Sequence, residues 1–500
     1  MSTKKSYEVW FVTGSQHLYG QGTLDAVARN SRSIVDGLTA KAGLPAALVF
    51  KPVVTTADAI AAVCQDANSS PACIGLVMWM HTFSPAKMWI EGLTILQKPF
   101  VHLHTQFNRD IPWASIDMDY MNLHQSAHGD REFGYICTRM KKRRKVIVGH
   151  WEEASVQRSL AMWMRVAAAW HEGRRLRVAR FGDNMRDVAV TEGDKVEAQM
   201  RFGYTVSGYG VGDLVRRIGE VGEGEVDSVT QEYSLAYALG SGLEKGRKHH
   251  ANVREGARIE LGLRAFLNEG RFGAFTTTFE DLNGLSQLPG LAVQRLMADG
   301  FGFGAEGDWK TAALLYTLKA MAAGMPGGAS FMEDYTYHLD PAGKKVLGAH
   351  MLEVCPSIAA ERPRLEVHPL GIGGKDAPPR LVFDVKSGPA LNVSLIDLGS
   401  RFRLLVNEVD VVPPDADLPR LPVARATWKP RPDFETAATA WILGGGAHHT
   451  VFTQALTSEY IVEFAEMADI ECVLIDGQTS ITALKKELHW NESASQPLHL

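Results

Sequence analysis

The 500-residue sequence has only five cysteines, Cys64, Cys73, Cys137, Cys355 and Cys472, and no C-x-x-C pair. A count so low, and odd, excludes a disulfide framework and points to a reducing compartment with free, mostly buried thiols. Long apolar runs are also missing. The stretch 160–170 is broken by Arg165, and no run reaches the ~20 residues that a membrane helix needs. Residues 1–10 are polar and charged and lack the apolar core of a signal peptide. The expected location is the cytoplasm. An excess of positive charge is absent as well: 52 Lys and Arg stand against 57 Asp and Glu, a formal net charge of −5. Such a chain has no broad electrostatic reason to hold nucleic acid or an anionic membrane, whereas a neutral substrate such as a sugar fits without strain. Internal repeats and low-complexity tracts are missing too.

What is present is ordinary globular composition, 45% hydrophobic and 22% charged. At about one domain per 150 residues, the length predicts roughly three domains. The first third alternates apolar strand-like runs (8–13, 74–80, 99–104, 146–148) with amphipathic helical stretches such as 26–40 and 153–171. Strands separated by helices predict a parallel sheet covered on both faces. A second α/β set starts at 176–181 and includes a strand at 272–279 and helices at 291–299 and 309–323. From about residue 325 the texture changes to prolines and short alternating strands (381–385, 390–398, 402–406), which predict an antiparallel barrel or sandwich. Residues 458–476 return to a helix and a strand. The expectation is two doubly wound, Rossmann-like α/β domains, 1–175 and 176–325, followed by a β-rich, barrel-like domain, 326–500.

Several local signals compete for function. Gly302 to Gly307 matches G-x-G-x-x-G, but the acidic residue expected about 20 positions on is not convincing, and Glu306 would stand where a pyrophosphate must sit. A strand-to-helix turn that presents a carboxylate at a strand's C-terminal end reads better, because α/β sheets put their ligands there. The basic run 139–145 reads as a solvated helix end, since nothing aromatic is interleaved. His249-His250 has polar neighbours and reads as solvated. His448-His449 follows the apolar run 441–443 and three glycines, and reads as a polar pair at the end of a strand facing a cleft. Glu333 and His350 stand inside apolar strand-like runs. Burying a carboxylate without a partner costs several kcal/mol. Taken singly, each is better read as a core histidine or a buried salt bridge. Together, two carboxylates and two imidazoles resemble an O/N site for Mn²⁺ or a similar cation.

Joining these distant residues rests on resemblance. TGSQHLYG (13–20), HTFSPAKMW (81–89), RFGDNMR (180–186), TTTFEDL (276–282), AEGDWKTAALL (305–315), SFMEDYTYH (330–338), HMLEVCPSIA (350–359) and GGAHHTVF (445–452) resemble the L-arabinose isomerase family nearly end to end. The resemblance implies that Glu306, Glu333, His350 and His449 hold one Mn²⁺ per subunit, with Co²⁺ or Mg²⁺ as substitutes. His448 becomes a neighbour in the substrate site. It implies a sugar pocket with Gln16, Leu18, Phe83, Gln125, His128, Met185 and Phe279, and a homo-oligomer, a hexamer built as a dimer of trimers with sites shared between subunits.

The implied reaction converts L-arabinose to L-ribulose in L-arabinose catabolism, with a weaker conversion of D-galactose to D-tagatose. A divalent metal would polarise the carbonyl as a Lewis acid, and Glu306 and Glu333 would relay the proton between C1 and C2 through an enediol. Three other readings stay open on residues alone: an isomerase for a fucose-like deoxysugar, a sugar-binding protein with α/β lobes, and an oxidoreductase resting on the 302–307 glycines.

Overall fold

The computed structural model describes residues 7–371 and 374–495. The chain divides into two compact units, Met1–His171 and Glu172–Leu500.

The first unit is built on five parallel strands: β1 (Glu8–Gly14), β2 (Ala47–Phe50), β3 (Cys73–Met80), β4 (Phe100–His104) and β5 (Lys145–Val148), in the order β2-β1-β3-β4-β5. Every residue of β3 is buried, as the unbroken apolar run CIGLVMWM requires of a strand covered on both faces. The sheet order reverses between β1 and β3, so the crevice beyond their carboxyl ends is the place for a ligand. Gln16 follows β1 and Phe83 follows β3. The helix expected at 26–40 starts earlier and runs Gly20–Lys41. Its first turn, with Gln21, Gly22 and Thr23, carries no apolar stripe that a sequence could show. The helix expected at 153–171 runs Ala154–Gly173.

In the second unit the parallel sheet contains β6 (Arg177–Phe181), β7 (Thr205–Tyr209), β9 (Ala274–Thr277) and β10 (Gly302–Ala305), in the order β10-β9-β6-β7. The short β8 (Ala238–Leu239) joins β13 (Arg364–Val367) and β14 (Pro379–Val382) in a separate small sheet. β9 is shorter than the expected 272–279. Gly273 still pairs with Arg177, but the Thr278 hydroxyl turns away to donate to the Asp183 carbonyl at 2.5 Å.

The C-terminal strands are β11 (Ala329–His338), β12 (Lys345–Ala349), β15 (Gly388–Asp397), β16 (Phe402–Val412), β17 (Arg425–Pro430), β18 (His449–Thr453) and β19 (Glu471–Ile475). They run β15-β18-β11-β12-β17-β16, and β15 pairs back onto β16, so six antiparallel strands close into a barrel while β19 adds in parallel to β16. Closure removes the free edges that a sandwich would leave. One expectation is corrected here. The run 441–443 is not a strand but part of the helix Phe434–Gly444. Asp433 caps that helix by accepting from Thr436 N–H at 2.8 Å, and Gly445, at φ 80°, ends it. A short apolar run does not tell helix from strand by periodicity.

The helix Trp309–Met321 is buried on nearly every side, packed against β9 and β10 and against the barrel strands β11, β15 and β18. It fixes the end of β10 against the barrel, and that positions the site.

Candidate active site

Antiparallel register aligns two of the expected residues and brings a third close by. Glu333 on β11 pairs directly with His449 on β18 and, on its other side, with Ala349 of β12, the residue before His350. Directly opposed residues lie about 5 Å apart, so Glu333 and His449 stand side by side on one face, while His350 follows just past the end of β12. Phe331, two residues before Glu333 and therefore on the same face, sets its ring edge-on to the imidazoles of His350 and His449, with centroids 5.0 and 4.9 Å away. His350 Nε2 lies 3.9 Å from Glu333 Oε2.

Glu306 arrives from the other sheet, one residue past β10. Its backbone is in the left-handed region at φ 58°, and Gly307 follows at φ 80°. A Cβ at 307 would stand 2.5 Å from the Asn184 Cα, so only glycine fits there. A non-glycine residue at positive φ stores strain that its surroundings must hold. They do so here: the Glu306 carbonyl accepts from Met185 N–H at 3.0 Å, and Asn184 donates to the Gly307 carbonyl. The carboxylate is thereby brought 3.6 Å from His448 Nε2 and 3.8 Å from His449 Nε2.

The electrostatics follow from these distances. The neighbouring His448 imidazole holds the Glu306 carboxyl below its usual range against the opposing effect of burial, and the same contact raises the His448 imidazole. Burial alone would lower His350. Glu353, then Glu333 and Glu306, outweigh it and raise that imidazole.

Glu306, His448 and His449 each offer a ligand atom, all within 4.8 Å of one another. His449 is fully buried, yet its Nε2 has no hydrogen-bond partner among the described residues. An imidazole nitrogen left bare in the interior, beside a carboxylate, is costly unless something binds it. A divalent cation fits that nitrogen and the mixed oxygen and nitrogen donors around it.

Behind the imidazoles stand two carboxylates that sequence reasoning missed. Asp308 Oδ2 accepts from His449 Nδ1 at 3.1 Å, and Glu353 Oε2 lies 2.5 Å from His350 Nδ1. Asp308 is also the cap of the helix Trp309–Met321, accepting from Thr311 N–H. Glu353, three residues after His350, was the available signal on the other side.

Phe279 lines a cavity with Glu306 and His350, and Met185 is tied to Glu306 as described. The remaining expected pocket residues lie in the first unit. There Phe83 and His128 face each other with ring centroids 4.6 Å apart, and His128 Nδ1 lies 3.3 Å from Gln125 Oε1. Tyr19, overlooked within TGSQHLYG, accepts from Gln125 Nε2 at 3.2 Å. Gln16 precedes the short turn His17–Tyr19, and Leu18 in that turn is 83% exposed. The first-unit group is half-buried to exposed, and each residue stands at a carboxyl rim or a helix start.

Three family models cover this chain: the L-arabinose isomerase N-terminal domain over residues 3–175, the central domain over 177–324 and the C-terminal domain over 328–471. The chain is 62% identical to an L-arabinose isomerase of Herpetosiphon aurantiacus, over 98% of this chain and 97% of that one. It is 62% identical to that of Geobacillus stearothermophilus, over 98% and 99%. It is 58% identical to that of Serratia proteamaculans, over 99% of each. With a geometry that gathers acids and imidazoles where the family motifs fall, and a match that runs from end to end, the chain belongs to the L-arabinose isomerase family.

Proposed function

We propose that this protein isomerises L-arabinose to L-ribulose in L-arabinose catabolism, with a weaker conversion of D-galactose to D-tagatose. The full-length likeness to L-arabinose isomerases supports the reaction. One local observation carries the cofactor: the bare, buried His449 Nε2 beside Glu306. In this reading Glu306, Glu333, His350 and His449 hold one Mn²⁺, replaceable by Co²⁺ or Mg²⁺, and His448 meets the substrate. When bound, the metal supplies Lewis-acid polarisation of the sugar's carbonyl.

The chain's own groups do the rest. Glu306, kept ionised by His448, and Glu333, facing His350, stand as base and acid for a proton moving between C2 and C1 through an enediol. Direction of reaction sets which of the two abstracts. Met185 and Phe279 shape the pocket wall. Gln16, Leu18, Phe83, Gln125 and His128 come from the first-unit surface of a neighbouring copy in a hexamer, a dimer of trimers in which domains 1–175, 176–325 and 326–500 repeat by symmetry. The protein acts in the cytoplasm.

A panel of sugars tests this. Metal-stripped protein should produce no ketose and should regain L-arabinose turnover with Mn²⁺. Faster turnover of L-fucose or D-xylose than of L-arabinose would overturn the substrate. In deuterated water the product should carry deuterium, and full retention of the substrate hydrogen would replace the enediol with a hydride shift.

A further inference from the structure

Asp308 is 1% exposed, and all its contacts point inward. Its Oδ1 accepts from the Thr311 backbone N–H at 3.1 Å and lies 3.5 Å from the Lys310 ammonium. Its Oδ2 accepts from the Thr311 hydroxyl at 2.7 Å and from His449 Nδ1 at 3.1 Å. Lys310 is itself buried. Its Nζ donates to the carbonyls of Val190, Thr191 and Glu192, none of which carries charge, so Asp308 is the carboxylate its ammonium faces. An ionised Asp308 can only accept. His449 must therefore put its proton on Nδ1, and Nε2 is left with a lone pair and, among the described residues, no hydrogen-bond partner, facing Glu306.

We propose that Asp308 is a positioning residue that locks His449 in the tautomer whose Nε2 is free to bind metal, and that Glu353 does the same for His350. This rests on the reading of a metal centre at this site and adds the groups that set its ligands. A carboxylate behind an imidazole fixes ring orientation as well as tautomer, and loss of such a partner costs about 10–100-fold in metal affinity.

The surroundings decide what an amide would do at 308. In Asp308→Asn the Thr311 N–H needs an acceptor, and the Lys310 ammonium repels an NH₂ group, so the amide oxygen takes the Oδ1 place. The NH₂ then faces the Thr311 hydroxyl, which can turn to accept, and His449 Nδ1. A donor there demands a bare Nδ1 and moves the imidazole proton to Nε2, against the metal. In Asp308→Ala the ring is released, and either tautomer is open to it.

Two rankings therefore run in opposite directions. For stability of the metal-free protein, Asn keeps polar contacts and should melt above Ala. For Mn²⁺ affinity, Ala should bind above Asn, and both should fall about 10–100-fold or more below wild type. A purely structural role would put the two variants in the same order in both measurements. Free Mn²⁺ read by electron paramagnetic resonance during titration of the full-length protein gives the affinity without any assay of turnover. Glu353→Met repeats the test at His350 should Asp308→Asn not fold, and should lose affinity by a similar factor. Wild-type affinity in Asp308→Asn, affinity in it above that of Asp308→Ala, or wild-type affinity in Glu353→Met each overturns the proposal. Failure of the wild-type protein to bind Mn²⁺ overturns the metal reading beneath it as well.

Discussion

A buried aspartate meets histidines in each unit, to different ends. In the first unit Asp130 holds two imidazoles, His102 Nε2 and His104 Nδ1, both at 3.0 Å, and also accepts from Met80 N–H. One carboxylate closes the carboxyl ends of β3 and β4 onto the helix Ser126–Arg139, and the ring of His102 packs edge-on to Phe133. In the second unit Asp308 and Glu353 back one imidazole each, and the far nitrogens look toward further acids. The parts are the same, and what they leave over differs. The first arrangement also leaves a buried nitrogen bare, His102 Nδ1, but its one carboxylate, Asp130, is already held by both imidazoles and the Met80 N–H and ties elements together. The second leaves a bare nitrogen beside a carboxylate, which is what a ligand site requires.

The sharpest way to break that contrast is to remove one histidine from each arrangement. His449→Ala should lose bound Mn²⁺ and fall at least about a thousandfold in kcat/KM, because Lewis-acid stabilisation is worth several kcal/mol and each 1.36 kcal/mol is tenfold. His102→Leu should keep metal content and turnover while lowering the melting temperature. Equal losses of activity in the two variants, measured with L-arabinose and Mn²⁺, would erase the distinction.

A second test concerns stability alone. Lys310→Met leaves Asp308 as a buried charge without its counter-ion, a change that costs about 3–5 kcal/mol when one partner of a buried pair is removed. Chemical denaturation should show that loss. A variant as stable as wild type would mean that the His449 contact and Thr311 suffice to hold the carboxylate.

The third test asks whether the two groups of pocket residues serve one site on different copies. His128→Ala and Glu306→Ala should each be nearly inactive. Unfolded and refolded together, they should regain part of the activity, because some sites then combine an intact first unit with an intact acid–imidazole set. Mixed oligomers that regain nothing beyond the two parents would confine each site to one chain.

How much of this could be read from the sequence depends on which signal each feature uses. The β3 run CIGLVMWM declared a buried parallel strand, because covering both faces demands unbroken apolar character. Closure of the barrel was only half legible: alternation marks strands, while the β15–β16 pairing that shuts the ring is a long-range fact. The run 441–443 was misread because three apolar residues fit either period, and the deciding cap, Asp433, lies outside the run. Glu306, Glu333, His350 and His449 could be named one by one as polar residues in apolar settings, but register alone aligns Glu333 with His449. Asp308 was not legible, because its contact with His449 joins residues 141 positions apart and exists only once β18 is laid beside the start of the helix Trp309–Met321.

The smallest effect belongs to His104. Its hydrogen bond to Asp130 raises the imidazole above its ordinary value of 6.5, against the lowering effect of partial burial. A group whose folded pKa is raised gives stability that is fully present below the unfolded value and is lost as pH rises through the folded one. The contribution should therefore be complete below pH 6.5 and fade above it. His104→Gln removes the charge but can still donate to Asp130. Melting curves of wild type and variant should differ most in mildly acidic buffer and converge as the pH rises, by a few degrees at most, because His104 remains partly open to solvent. High salt should narrow the acidic gap only slightly, since Asp130 is almost fully buried. A gap that widens with rising pH would reverse the sign and show that His104 stabilises the first unit as a neutral ring, which would make Asp130 a hydrogen-bond acceptor there and not the partner of a charge.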